Sequence, residues 1–140
     1  MKLSAKSRYG IAALVYLHVQ NETTSLISIA NHLNISKIYM EQVFSSLRSA
    51  GIVEAIKGPN GGYYMKSSEY SMFDIINILE PEMLKKTQAS TDDNTINQVL
   101  CENFYSIVDA HLSELLKGIL IKDIAEKVKN YNSNEPMYYI

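Results

Sequence analysis

Residues 25–62 read SLISIANHLNISKIYMEQVFSSLRSAGIVEAIKGPNGG, and this stretch decides the fold. Ser25 is placed to cap a short helix whose apolar positions are Leu26, Ile29, Ala30 and Leu33. Asn34 ends that helix, because Asn enters the left-handed conformation at less cost than other non-glycine residues. Ser36 caps a second helix with Met40, Val43, Phe44 and Leu47 on one face, and Gly51 stops it. The period then falls from 3.6 to 2. Ile52, Glu54 and Ile56 alternate with Val53, Ala55 and Lys57, and Gly58-Pro59-Asn60-Gly61-Gly62 turns the chain into Tyr63-Tyr64-Met65-Lys66.

Outward from this stretch, Ile11, Leu14, Val15 and Leu17 predict an amphipathic helix over about residues 5–20. On the other side, Ser71 to Leu79 reads as a helix stopped by Pro81, and the polar run from Lys85 to Thr95 as a connector. Beyond it, Ile96 to Ile119 predicts a helix of about six turns. One of its stripes is Ile96, Leu100, Phe104, Ile107 and His111; the other is Cys101, Tyr105, Val108, Leu112 and Leu115. An apolar surface wider than one face predicts packing on two sides, on its own domain and on a second copy of the chain. A short helix from Asp123 to Lys129 and a tail, Glu135 to Ile140, follow. The expected class is mainly α with a small β-hairpin, divided into a first domain over 1–80, a connector over 81–95, and a dimerisation helix with its tail over 96–140.

Composition narrows the function classes. One cysteine, Cys101, excludes a disulfide within the chain and leaves a thiolate zinc site three ligands short. The opening residues Met1-Lys2-Leu3-Ser4 carry no apolar signal stretch and no run approaches a membrane span, so the chain reads as cytoplasmic. The net charge of −2 hides an asymmetry: residues 1–70 hold seven Lys and Arg against four acids, the remainder six against eleven. The first part suits a polyanion and the second does not. No Ser/His/Asp or Cys/His constellation, nucleotide loop or carboxylate pair forms a distinctive motif, so no enzyme and no cofactor is expected. His18, His32 and His111 are dispersed without metal-ligand spacing.

Two short helices with a tight turn, followed directly by a glycine-tipped hairpin, predict a winged helix-turn-helix. In that geometry the second helix lies in the major groove of double-stranded DNA. Its outer face presents Ser36, Lys37, Tyr39, Glu41, Gln42 and Ser45. Gln addresses an adenine edge, Glu accepts from cytosine N4, and Lys, Ser and Tyr hold phosphates. The small side chains of Gly58, Pro59, Asn60, Gly61 and Gly62 let the hairpin backbone approach a phosphate or a minor groove, with Lys57 adjacent.

Three stretches together resemble the signatures of the Rrf-two family of bacterial regulators: Met1 to Gly10, Ile35 to Gln42 with Leu47 to Gly51, and Lys57 to Tyr63. The resemblance is close over residues 1 to about 80 and looser beyond. It implies a homodimeric winged helix-turn-helix transcription factor, usually a repressor, on a near-palindromic operator. It further implies that Arg8 and Tyr9 meet the DNA backbone, that Ser36, Lys37, Tyr39, Glu41 and Gln42 belong to the recognition helix, that Arg48 grips phosphate, and that Lys57, Gly58, Asn60 and Gly61 form the wing. One departure stands out: the iron–sulfur members carry three cysteines before the long helix, and residues 81–99 here contain none. The Met137-Tyr138-Tyr139-Ile140 tail is similar to that of the family's cysteine-metabolism repressors, which implies a cysteine synthase as a partner.

Cys101 reads in two ways. An accessible thiolate on the dimer helix is a redox sensor, whereas a thiol on an apolar stripe beside Tyr105 and Val108 is a small core residue; the stripe favours the core. A rival reading of the whole chain is a winged-helix protein-interaction module that regulates a metabolic enzyme through its C-terminal tail. The polar recognition face and the basic wing, which such a module does not need, weigh against it.

Overall fold

Three serines open the first three helices. Ser4 accepts a hydrogen bond from the Ser7 N–H at the start of α1 (Ala5–Gln20), Ser25 from Ser28 N–H at α2 (Leu26–Leu33), and Ser36 from Tyr39 N–H at α3 (Lys37–Ser49). Each satisfies an amide that the helix itself leaves unpaired. Asn21 and Asn34 close α1 and α2 in the left-handed conformation, at φ 52° and 55°. The Asn34 turn is tight: Ile35 N–H already bonds to Ala30 O at 2.9 Å, and α3 begins two residues later.

The hairpin follows as expected, with β1 (Val53–Ile56) antiparallel to β2 (Gly62–Met65) in the register Val53↔Met65 to Ile56↔Gly62. The computed structural model, which describes residues 1–89 and 94–134, adds a third edge. Thr24 pairs with Tyr63 through two backbone hydrogen bonds of 2.9 and 2.8 Å. This bridge ties the hairpin to the segment that leads into α2. Helix α4 (Met72–Leu79) is opened by a reciprocal cap in which Ser71 and Asp74 each accept from the other's backbone N–H, and a 3₁₀ turn, Pro81–Leu84, follows it.

The core is built around α1. Ala13, Leu14 and Leu17 meet Ile29 of α2, Met40, Val43 and Phe44 of α3, and Ile75 and Ile76 of α4, all at 2% exposure or less. Glu80, just beyond α4, fastens the opening of α1 by accepting from Ser4 N–H at 3.0 Å. The Ser7 hydroxyl foremost, and then the Ser4 amide, hold the Glu80 carboxyl below the usual glutamate range. A depressed carboxylate stabilises the fold above its ordinary value of 4.5, and that contribution disappears as pH falls through the depressed value. Glu80→Gln is therefore expected to lower stability at neutral pH and to flatten the acid limb of a stability-versus-pH curve below 4.5, measured by urea denaturation. An acid limb unchanged by the substitution would show that Glu80 is not the titrating group.

The C-terminal region departs from the periodicity reading in three places. The long helix runs from Thr95 to Lys117 as α5 (Thr95–Leu100), a π-helical segment (Cys101–Tyr105) and α6 (Ser106–Lys117). In the π segment Ser106 N–H bonds to Cys101 O, five residues back, so a face followed at 3.6 residues per turn falls one residue short beyond it. The inward row is therefore Cys101, Tyr105, Asp109, Leu112 and Leu116. Leu116 is 5% exposed, whereas Val108 and Leu115, on the same predicted stripe as Cys101, are 50% and 62% exposed. Cys101 itself is half-buried and lies outside the fully buried cluster.

The last helix, α7 (Ile121–Asn134), is longer than the expected span from Asp123 to Lys129. It starts earlier because its first amide needs no side-chain cap: Ile121 N–H bonds to Tyr70 O at 2.9 Å, and Met72 N–H to Ile119 O at 2.7 Å. These bonds, with the Lys122–Glu69 ion pair at 2.9 Å, fix the α6–α7 turn to the start of α4. Ile121 and Ala125 are fully buried, and α7 packs along α1. The expected tail, Glu135 to Ile140, lies outside the described residues.

Candidate nucleic-acid interface

Helix α3 divides cleanly into two faces. Met40, Val43, Phe44 and Leu47 are at 1% exposure or less. Opposite them Lys37, Ile38, Glu41, Gln42, Ser45, Arg48 and Ser49 are exposed, with Ser36 exposed at the cap. Phe44 is also the joint between α3 and the hairpin, its ring centroid 4.7 Å from that of Tyr63. Because Tyr63 is itself held by Thr24, the outward face of α3 and the hairpin are positioned by one packed unit.

Not every expected residue lies on that face. Tyr39 is half-buried at its flank, edge-on to Tyr9 with ring centroids 5.7 Å apart. Its aromatic body is committed to the α1–α3 contact and stands apart from the residues that face outward. Arg8 is exposed next to this pair, its guanidinium carbon 5.8 Å from the Tyr9 ring centroid. Lys37 and Glu41 form an exposed ion pair at 3.7 Å, weak enough to exchange for a nucleic-acid partner. Lys57, Gly58, Pro59 and Asn60 are exposed at the hairpin tip, and Gly61 N–H closes the turn on Gly58 O at 3.0 Å.

Three residues join the site that spacing alone does not single out. Lys6 Nζ donates to Ser46 Oγ at 3.1 Å, which places a cation beside the second half of α3. Lys66 and Arg48 both line a cleft of about 340 Å³ between the end of α3 and the hairpin. Lys66 there pairs with Glu54 at 3.1 Å, and Glu54 also accepts from the Tyr64 hydroxyl. The Tyr64 hydroxyl, and after it Lys66, hold the Glu54 carboxyl below its usual range, while the same bond raises the Tyr64 phenol. The third is Ile38, 72% exposed in the first turn of α3. A search for polar recognition groups passes over it because it is apolar.

Cations at Lys6, Arg8, Lys37, Arg48, Lys57 and Lys66 thus surround a hydrogen-bonding helix face, an arrangement that positions a polyanion by its phosphates and offers Gln42, Glu41 and Ser45 to what lies between them. The histidines serve elsewhere: His32 stacks on Tyr16 at 4.1 Å, and His111 Nδ1 lies 2.7 Å from Ile107 O.

Comparison with known proteins bears on this surface. Residues 3–127 match the Rrf2 family, described as an iron-dependent transcriptional regulator. The chain is 34% identical to the HTH-type transcriptional regulator CymR of Bacillus subtilis over 147 aligned positions, covering all of both chains. It is 31% identical to the HTH-type transcriptional regulator IscR of Vibrio campbellii over 129 positions, covering 89% of this chain and 77% of that protein. The solved structure of CymR, the global cysteine regulator of B. subtilis, superimposes with a TM-score of 0.74 at 30% identity, covering 91% of this chain and 98% of that one. The iron of the family description finds no matching ligand set among the described residues. Cys101 supplies one thiolate where a cysteine-ligated cluster takes three or four, and among the described residues no three His, Cys, Asp or Glu side chains converge to share a metal ion.

Proposed function

The chain belongs to the Rrf2 family of DNA-binding transcriptional regulators, and from that premise we propose that it acts as a repressor, binding a near-palindromic operator as a homodimer. The observation that carries the reading is the outward face of α3, free of intrachain packing and framed by the hairpin and six cations. Residues 1–80 supply the DNA-binding unit, and the segment from residue 96 onward braces it and brings in the second copy. The operator then mirrors the protein two-fold, with half-sites one helical turn or a multiple of it apart.

Phosphate contacts supply affinity and base contacts supply choice, so two substitutions separate the roles. Arg48→Ala is expected to weaken binding to specific and random duplexes alike and to reduce the salt slope by about one unit, read by fluorescence anisotropy across a salt series. Gln42→Ala is expected to relax base preference, with a loss of about 1–3 kcal/mol on the specific duplex and little on a random one. Equal losses on both duplexes for Gln42→Ala would contradict its role.

The signal is assigned to Cys101, half-buried within the π-helical segment of the long helix, where oxidation alters the relation of one DNA-binding unit to the other. Anisotropy on the chain's own upstream DNA, with and without a thiol oxidant, tests it. Oxidant is expected to abolish binding by the wild type and to spare Cys101→Ser; binding that ignores oxidant removes the assignment. The resemblance of Met137 to Ile140 to the cysteine-metabolism repressors adds a cysteine synthase as partner, and removal of those four residues is expected to end its capture.

A further inference from the structure

The outward row of α3 is Ile38, Glu41, Gln42, Ser45 and Ser49, spaced i, i+3, i+4, i+7 and i+11. Four of the five carry hydrogen-bonding groups. Ile38 does not, and it is 72% exposed. Its position explains what a scattered surface isoleucine would not: it lies in the first turn of the helix, on the side directly away from Met40, Val43 and Phe44, and the N-terminal residues of a recognition helix are those that reach base edges. In the free chain this side chain is no part of the packed core. It is β-branched, which costs helix propensity, and its apolar surface is left in water.

The major groove displays one apolar feature, the C5 methyl of thymine. We infer that Ile38 is a specificity-determining residue that reads a thymine methyl in each half-site, between the bases addressed by Glu41 and Gln42. The contact discriminates thymine from cytosine by burial rather than by hydrogen bonding. Ser36, which caps α3 through its side chain, and Lys37, paired with Glu41, leave Ile38 unobstructed on its own turn. The inference rests on α3 being the helix that enters the groove.

Deoxyuridine differs from thymidine only in lacking that methyl, and Ile38 is exposed enough that Ile38→Ala leaves the fold intact. A duplex enriched by the full chain from a randomised pool is re-made with deoxyuridine at each thymine in turn. Wild type is expected to lose about three- to fivefold in affinity at one position per half-site, the scale of one buried methyl group. Ile38→Ala is expected to show that same loss on the thymine duplex and no further loss on the deoxyuridine duplex. Wild-type binding indifferent to deoxyuridine at every position, or an Ile38→Ala protein that keeps the thymine-to-deoxyuridine ratio, overturns the inference and leaves the DNA-binding role of α3 standing. A pool from which no motif is enriched overturns that role and this inference with it.

Discussion

A Phe104→Glu, Ile107→Glu double variant is expected to sediment as a monomer at micromolar concentration and to lose on the order of 100-fold or more in affinity for the two-half-site operator. Within one chain these side chains are 54% and 48% exposed, and Ile96, Val99, Val108 and Leu115 on the same long helix are exposed by 50% or more. This exposed apolar row is the surface on which the proposed dimer rests. The same helix is anchored to its own core on the other side, through Leu112 and Leu116, so introducing charge on the outer row leaves the intrachain contacts in place. The affinity loss follows from geometry rather than from any damaged DNA contact. A dimer presents its second recognition helix at a high effective concentration once the first is bound, and a monomer does not. Binding of the variant to an isolated half-site is expected to match that of the wild type. A double variant that still sediments as a dimer would place the interface on another surface.

The parts of the fold that depend on local chemistry are legible in the residues themselves. Ser25, Asn34, Ser36 and Gly51 punctuate α2 and α3 because capping and left-handed backbone are decided within a few residues, and the hairpin shows in the change of period at Ile52. The π segment is different. Nothing in the residue types from Cys101 to Tyr105 announces a ladder bond spanning five residues, and a single added residue rotates every later position by about 100°. That rotation is why Leu116 rather than Leu115 enters the core, and why Val108 joins the exposed row. The start of α7 was hidden for another reason: its cap is the carbonyl of Tyr70, far away in sequence. Of the candidate site, the outward polar residues of α3 and the wing tip follow from periodicity, while Lys66 does not. It comes to line one cleft with Arg48 only through the hairpin register. Tyr39 shows the limit of a helical wheel: at the edge of the face, the neighbour contributed by α1 decides whether a ring is outside or packed.

Gly62→Ala is expected to destabilise the fold by about 2–4 kcal/mol, a large part of the stability of a domain this size. A Cβ built at Gly62 falls 2.3 Å from Thr24 O and 2.5 Å from Thr24 C. The obstacle is main chain, so no side-chain rotation can relieve it. The hairpin must move away from Thr24, and the two hydrogen bonds between Thr24 and Tyr63 are the contacts that such a movement breaks. Each is worth about 1 kcal/mol when made and more when a partner is left unsatisfied. The movement also lifts Tyr63 from Phe44, the ring contact that sets α3 against the wing. DNA affinity is therefore expected to fall together with stability, even at temperatures where the variant remains folded. Gly58→Ala separates space from backbone conformation, because Gly58 has nothing within 4 Å of its added Cβ but holds φ at +118°. Its cost is local strain of about 1–3 kcal/mol at the wing tip, with the Thr24 bridge intact. Urea denaturation and anisotropy on both variants distinguish the two effects. A Gly62→Ala protein within about 0.5 kcal/mol of wild type would mean that the hairpin slides freely past Thr24 and that the wing is not held in register with the recognition helix.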